Sequence, residues 1–285
     1  MTGGFSSSPM RSSRPLSSGD RHPTWTTADM PILTNADHDH IRQCGYLIRT
    51  DLLTPEELEH FIDIFDTDRD KCRYRWYPYG YHQSANYDAL ITSPAFDKIV
   101  RHPSILAAVN ELMDGPTCFG EIGARHMTEY EGELHRSWHR DRPHWPEHRY
   151  RMDYIQCMLY LTDVGPDTHC FSISPEAVDN IVLKDQKAQI ERGGIVDIHG
   201  PAGTVCLFNV AVLHTATTRN SSRERKTVQT YYGHRDRAPL ANDSVIPPRL
   251  WKLDPDPETR AFYGNLNQVS QTYAEAFGVE QDSTE

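Results

Sequence analysis

The stretch that decides the fold is Ser104–Tyr130, SILAAVNELMDGPTCFGEIGARHMTEY. Ser104–Met113 reads as a helix, and Asp114-Gly115-Pro116 stops it, because glycine frees the backbone and proline cannot continue a helical ladder. After Gly115 the pattern becomes strand-like, beginning with Cys118–Tyr130. Upstream the signals are helical. Thr54-Pro55-Glu56-Glu57 is a capping box with proline at the first helical position. Leu58, Phe61, Ile62 and Phe65 follow at i, i+3, i+4 and i+7, which makes one apolar stripe facing a core. Another helix is predicted over Pro94–Arg101, and a short strand at Gly45-Tyr46-Leu47-Ile48. Downstream, Tyr154–Thr162, Cys170–Ser174, Ile195–Ile198, Thr204–Leu213 and Arg225–Tyr232 read as strands. Turn clusters such as Gly165-Pro166-Asp167 and Gly200-Pro201-Ala202-Gly203 separate them. Helices first and strands afterwards is not the alternation of a parallel α/β fold. It predicts a mainly β protein with flanking helices, built on a double-stranded β-helix (a jelly-roll, cupin-like core).

The chain's 285 residues suit one domain with tails. Met1–Asp20 holds seven Ser, three Gly and two Pro, too little apolar surface to offset its ordering entropy, so residues 1–29 are expected to be a disordered tail. The single domain is then expected over 30–285, with a helical buttress at about 54–114 and the jelly roll at about 117–236. Beyond Pro247 the sequence is loop-rich, with a helix predicted near Gln268–Phe277. The balance of 29 Lys+Arg against 40 Asp+Glu gives a net charge of −11, which repels phosphate backbones and argues against nucleic-acid and anionic-membrane partners. No apolar run approaches the ~18 residues of a membrane span, and no secretory signal is expected at the N-terminus. The six cysteines are scattered without a CxxC pair. That suits reduced thiols in a cytoplasmic protein rather than a disulfide or zinc-ribbon framework. Fifteen histidines invite a search for a metal site.

Two His-x-Asp triplets occur, His139-Arg140-Asp141 and His234-Arg235-Asp236. With 15 His and 24 Asp in 285 residues, roughly one such triplet arises by chance, so the motif alone says little. Context separates them. The first lies between strand-like segments, where residues i and i+2 share a face and can grip one ion from one side. His214 closes the apolar run Thr204–Leu213, at the mouth of a barrel strand, and is the best third ligand. Two histidines and a carboxylate with open positions form the facial triad of non-haem Fe(II) oxygenases. No histidine lies downstream of His234, and Arg235 and Arg237 flank its triplet, so a solvated loop is expected there. Arg225 stands eleven residues after His214 at the start of the next strand, where its fork can hold a carboxylate through two parallel hydrogen bonds.

Together, Trp138-His139-x-Asp141, the distal His214 and Arg225 resemble the phytanoyl-CoA dioxygenase family of Fe(II)/2-oxoglutarate-dependent oxygenases. The resemblance runs from about Asp37 to Arg235. It takes in Gly45-Tyr46-Leu47, Leu53-Thr54-Pro55-Glu56-Glu57, Tyr160-Leu161-Thr162-Asp163-Val164 and Gly203-Thr204-Val205. It implies that His139, Asp141 and His214 hold Fe(II) and that 2-oxoglutarate chelates the metal with its far carboxylate on Arg225. Dioxygen would then drive oxidation of a substrate C–H, by hydroxylation or by the desaturation and cyclisation open to the same chemistry. The presence of Asp141 disfavours the halogenase variant. The chain departs from the family pattern at Thr168-His169, at Ser174-Pro175-Glu176-Ala177, and at Ala216, where a hydroxyl that helps hold 2-oxoglutarate is common. Gln156, sharing a strand face with Tyr154, Met158 and Tyr160, is the candidate replacement contact.

For the substrate, Arg142, His144 and Trp145 follow the triplet and are candidates for the pocket mouth. Arg125 and Tyr130 lie on the strand before it. The run Tyr74, Trp76, Tyr77, Tyr79 and Tyr81 lies where related enzymes place a lid, against the alternative of a loop packed on the sheet. The acidic balance steers the substrate toward a small metabolite, in biosynthesis or catabolism, rather than a nucleic acid. The reading from another class is a jelly-roll binding protein with a non-catalytic metal or none, which Ala216 and the altered turn at Ser174–Ala177 favour and Arg225 opposes. Oligomeric state is left open between monomer and homodimer.

Overall fold

The computed structural model describes residues 31–279; the expected tail at 1–29 lies outside the described residues. Helix α1 (Asn35–Cys44) leads into strand β1 (Tyr46–Arg49), and α2 (Pro55–Lys71) follows. Strands β2 (Tyr77–Pro78) and β3 (Ser84–Asn86) precede helices α3 (Ala89–Thr92), α4 (Asp97–Val100) and α5 (Pro103–Leu112). Then come β4 (Thr117–Met127), β5 (His135–Arg136), β6 (Tyr154–Tyr160) and β7 (Cys170–Ile173). Helix α6 (Gln186–Gly193) separates these from β8 (Val196–Ile198), β9 (Val205–Asn209), β10 (His214–Thr218) and β11 (Arg225–His234). Helices α7 (Pro248–Trp251), α8 (Pro257–Tyr263) and α9 (Gln268–Ala276) complete the described chain.

The strands form a seven-stranded sheet, β1-β9-β6-β11-β4-β3-β2, and a four-stranded sheet, β5-β10-β7-β8. Every pairing is antiparallel. This is the jelly-roll core that the sequence predicts. Alternation along the central strands sorts two cores, because successive side chains leave opposite faces. Ile155, Cys157 and Leu159 of β6, with Val205 and Leu207 of β9, join the helical layer. Met158 and Tyr160 of β6, with Cys206 and Phe208 of β9, point inward with Phe171 and Ile173 of the smaller sheet. Both faces of the large sheet are therefore apolar, which is why its strands read as nearly unbroken hydrophobic runs.

Helix α2 starts where its sequence says. Thr54 Oγ1 accepts from Glu57 N, and the Glu57 carboxylate accepts from Thr54 N. Such a cap is worth about 1 kcal/mol, whereas burying Phe61, Ile64 and Phe65 contributes about 1.5–3 kcal/mol each. Packing, not capping, holds α2 on the sheet. Helix α1 is absent from the sequence reading, although its capping box, Thr34 with Asp37, was legible. Its apolar content is low and only Ile41 is buried, so periodicity gave no signal. It ends at Gly45, whose φ of +77° suits glycine; an added Cβ there would lie 2.5 Å from Val212.

Two expectations change. The helical layer is not confined to residues 54–114: Leu250, Phe262, Tyr263 and Ala274 of the C-terminal helices share its core. The run Thr204–Leu213 is not one strand. It breaks after Asn209, whose carbonyl accepts from Val212 N at 3.0 Å and whose side chain accepts from Ala211 N at 2.9 Å. An asparagine amide that stands in for a backbone partner makes such a turn. Val210–Leu213 are apolar because the turn itself is buried, and His214 opens a strand of the opposite sheet instead of closing this one.

Candidate metal centre and its cavity

The break at Asn209 builds the site. His139 and His214 pair as an antiparallel bridge, each backbone N–H donating to the other's carbonyl at 3.0 Å, and Asp141 N donates to Val210 O at 3.0 Å. The first triplet thus lies along the start of β10 and the turn before it. One ligand atom each of His139, Asp141 and His214 lies within 4.8 Å of the other two. His139 Nε2 is 3.4 Å from Asp141 Oδ1, and His214 Nε2 is 3.6 Å from Asp141 Oδ2.

The tautomers are fixed by the chain. His139 Nδ1 is 2.9 Å from Ser137 O, and His214 Nδ1 is 2.8 Å from Val212 O. A carbonyl only accepts, so both Nδ1 atoms carry the hydrogen and both Nε2 lone pairs are left toward Asp141, the arrangement a metal requires. Burial pushes His214 down to about 4, which keeps it neutral at neutral pH. The Asp141 carboxylate, which can accept a hydrogen bond from the protonated ring, raises His139 above the ordinary imidazole value against the effect of burial. Burial alone would raise Asp141, but His214 and His139 outweigh it and hold the carboxyl below its usual range. Two neutralisable imidazoles and one carboxylate fit a borderline divalent cation such as Fe(II).

The residue between the ligands points the other way, as strand alternation demands. Arg140 Nη1 donates to Glu176 Oε2 at 2.6 Å and to Ala211 O in the His214 turn. The Glu176 side chain is 1% exposed and also lies 3.5 Å from both His144 and Arg192. The departure at Ser174–Ala177 therefore has a structural account: Glu176 is a buried counter-ion that ties the triplet loop to the turn carrying His214. The other departure, His169, is buried with Nε2 2.8 Å from Thr128 O.

A cavity of about 410 Å³ opens beside the three ligands, and Arg225, Gln156 and Arg125 all line it. Arg225 is only 1% exposed, and its Nε and Nη1 have no hydrogen-bond partner. Burial lowers its pKa, and among the described residues no carboxylate lies within ion-pair distance of it. A buried, unpaired guanidinium is costly, so the site fits an anionic ligand there. Gln156 lines the same cavity from opposite Tyr231 of β11, with its Nε2 donating to Gln229 Oε1 at 2.7 Å. Ala216 also lines the cavity and offers no hydroxyl.

The remaining candidates divide. Arg142 and Trp145 do not line this cavity, which corrects the expectation for both. Arg142 is committed to Asp153 Oδ2 at 2.7 and 3.1 Å, and Trp145 packs against His148, His234 and Arg237. His144 turns to Glu176 instead of the cavity mouth. Tyr130 is not in the lining, but its hydroxyl lies 2.8 Å from that of Tyr81. The aromatic run also splits. Trp76 packs edge-on against Phe65 and donates to Asp68, Tyr74 and Tyr77 face solvent, and Tyr79 and Tyr81 reach the cavity. Gln229 and Tyr231 were missed as lining residues; their even spacing from Arg225 along β11 was the available signal.

The fold and the convergence of two histidines, a carboxylate and a buried arginine define a jelly-roll oxygenase of the metal-dependent class. Residues 41–227 match the family Phytanoyl-CoA dioxygenase (PhyH), and the chain belongs to that family. As a member it is a dioxygenase of the Fe(II)- and 2-oxoglutarate-dependent kind. No curated protein matches the chain by sequence. Among solved structures, EctD from S. alaskensis with bound Fe is similar at TM-score 0.62 and 16% identity, over 80% of this chain and 85% of that one. The non-heme alpha ketoglutarate dependent carbocyclase SnoK from nogalamycin biosynthesis aligns at 0.61 and 16%, over 72% and 85%. HygX from Streptomyces hygroscopicus, with nickel, 2-oxoglutarate and hygromycin B bound, aligns at 0.54 and 18%, over 71% and 88%. At such identities the likeness shows the fold. No helix among the described residues is long and apolar enough to cross a membrane.

Proposed function

We propose that His139, Asp141 and His214 hold the iron of this dioxygenase, that Arg225 anchors the far carboxylate of 2-oxoglutarate with Gln156 as a second contact, and that the enzyme hydroxylates an unactivated C–H of a small metabolite. The observation that carries the reading is Arg225: a buried guanidinium with two unpartnered nitrogens, in the same cavity as three converging ligand atoms. A binding protein without keto-acid chemistry leaves that cation unexplained. Bound Fe(II) and 2-oxoglutarate supply an oxidant by oxidative decarboxylation of the keto acid with dioxygen. The chain contributes the rest. Ser137 O and Val212 O keep each histidine's Nε2 free for the metal. The Arg140–Glu176 pair fixes the distance between the two halves of the ligand set. Arg225 neutralises and orients the co-substrate. SnoK comes from nogalamycin biosynthesis and HygX is solved with hygromycin B bound, which supports a place in secondary metabolism. Six unpaired cysteines support a reducing, cytoplasmic setting.

The test is anaerobic addition of Fe(II) and 2-oxoglutarate. A visible charge-transfer band is expected with the wild-type protein and its loss with His139→Ala. No band in wild type overturns the reading, and so does succinate release that survives His139→Ala.

A further inference from the structure

Arg125 is the second guanidinium of the cavity, and the proposed chemistry does not use it. It projects from β4 on the strand face that also carries Gly123, and its Nε, sealed from solvent, has no hydrogen-bond partner. Nη2 donates to the Tyr87 hydroxyl at 2.8 Å, and the guanidinium carbon lies 4.5 Å from the centre of the Tyr79 ring and 5.6 Å from that of Tyr87. These contacts position the fork without neutralising it. Among the described residues no carboxylate lies within ion-pair distance of Arg125. Glu121, one full alternation behind Gly123, does not fill that role: burial, with help from Asp243, pushes it up to about 8, so it is mostly protonated at neutral pH.

The charges of the loaded site then do not balance. Iron(II) and two arginines bring four positive charges, and Asp141 with dianionic 2-oxoglutarate brings three negative ones, the two histidines being neutral. One positive charge is left over, and it falls on Arg125, whose Nε is sealed from solvent without a partner, where an uncompensated ion is costly. We propose that the substrate carries a single carboxylate that docks on Arg125, with its body lying along Tyr79 and Tyr81. This deepens the oxygenase reading and rests on it. A monoanion closes the balance where a phosphate dianion overshoots it, and a carboxylate matches the guanidinium fork through two parallel hydrogen bonds. Tyr81 stacks on His135 with ring centres 3.9 Å apart, so the aromatic wall is held in place for a flat or apolar body. Arg125 is thereby a specificity residue, not a ligand of the metal or the co-substrate.

The experiment uses the protein loaded anaerobically with Fe(II) and 2-oxoglutarate and a panel of small aromatic and aliphatic carboxylic acids, each paired with its own carboxamide and with the matching phosphonate. Binding is read as a change in the charge-transfer band and as a shift in melting temperature. Acids are expected to bind at least about tenfold more tightly than their amides, as losing a charged hydrogen-bonded contact implies, and more tightly than the phosphonates. In Arg125→Gln that preference disappears while the band itself persists; Arg125→Lys keeps the charge without the fork and retains part of it. Equal binding of acids and amides in wild type overturns the proposal, as does a preference for the phosphonates. Loss of the band in Arg125→Gln also overturns it, by making Arg125 a co-substrate anchor. Absence of the band in wild type is a different failure and counts against the oxygenase reading itself.

Discussion

The two His-x-Asp triplets have the same spacing and the same central arginine, yet the fold gives them opposite fates. His139-Arg140-Asp141 lies against the start of β10, with His214 across from it. His234-Arg235-Asp236 runs off the end of β11: His234 packs half-buried against Trp145 and His148, and Asp236 is exposed. The expectation of a wholly solvated loop is thus only half right there. No metal-competent group among the described residues includes the second triplet. The central arginines diverge as well. Arg140 meets Glu176, whose side chain is 1% exposed, whereas Arg235 meets Glu258 at 66% exposure. What makes a metal site is the third donor across the sheet and the buried scaffold behind it, and neither is encoded in the triplet.

The comparison can be broken most directly at the ligands. His139→Ala or His214→Ala is expected to lower turnover-coupled succinate release by more than ~100-fold, beyond the loss typical of outer partners of a metal ligand. His234→Ala, assayed alongside, should leave it unchanged. Next are the arginine pairs. Glu176→Ala strands Arg140 in a buried place and should cost about 3 kcal/mol in denaturant unfolding, while Glu258→Ala should cost less than about 1 kcal/mol because its pair is exposed. Arg225→Gln should raise the KM for 2-oxoglutarate roughly tenfold or more, with a smaller effect on kcat, because it removes a charged anchor and not a metal ligand. Near the second triplet the expected effect is a shallow pH dependence. Burial pushes His148 down to about 4 and lowers His234. A depressed histidine contributes stability that is complete above the unfolded value near 6.5 and is lost as pH falls toward the folded value. The melting temperature of the metal-free protein should therefore fall between about pH 6.5 and 4, and His148→Gln should flatten part of that slope.

Much of this molecule was legible one residue at a time. The capping box at Thr54–Glu57, the stop at Gly115, the strand periodicities and the i, i+2 pairing of His139 with Asp141 are local, set by backbone sterics and side-chain alternation. Arg225 was legible through its spacing from His214 and the family pattern. Register and turn position were not, because they depend on which distant surface a segment buries. Val210–Leu213 is as apolar as a strand, yet it is a turn, since the Asn209 amide ends the ladder and the cores on both sides bury the four residues after it. Arg142 and Trp145 sit beside the triplet in sequence but leave the cavity, because Asp153 and His148 offer them partners elsewhere. By itself the sequence determined a β-rich chain with helices ahead of it and singled out the three candidate ligands. Tertiary structure decided that those side chains converge, that Glu176 braces their loop, and that two guanidiniums without a carboxylate partner share one cavity, because charge pairing and burial are settled only when strands remote in sequence meet.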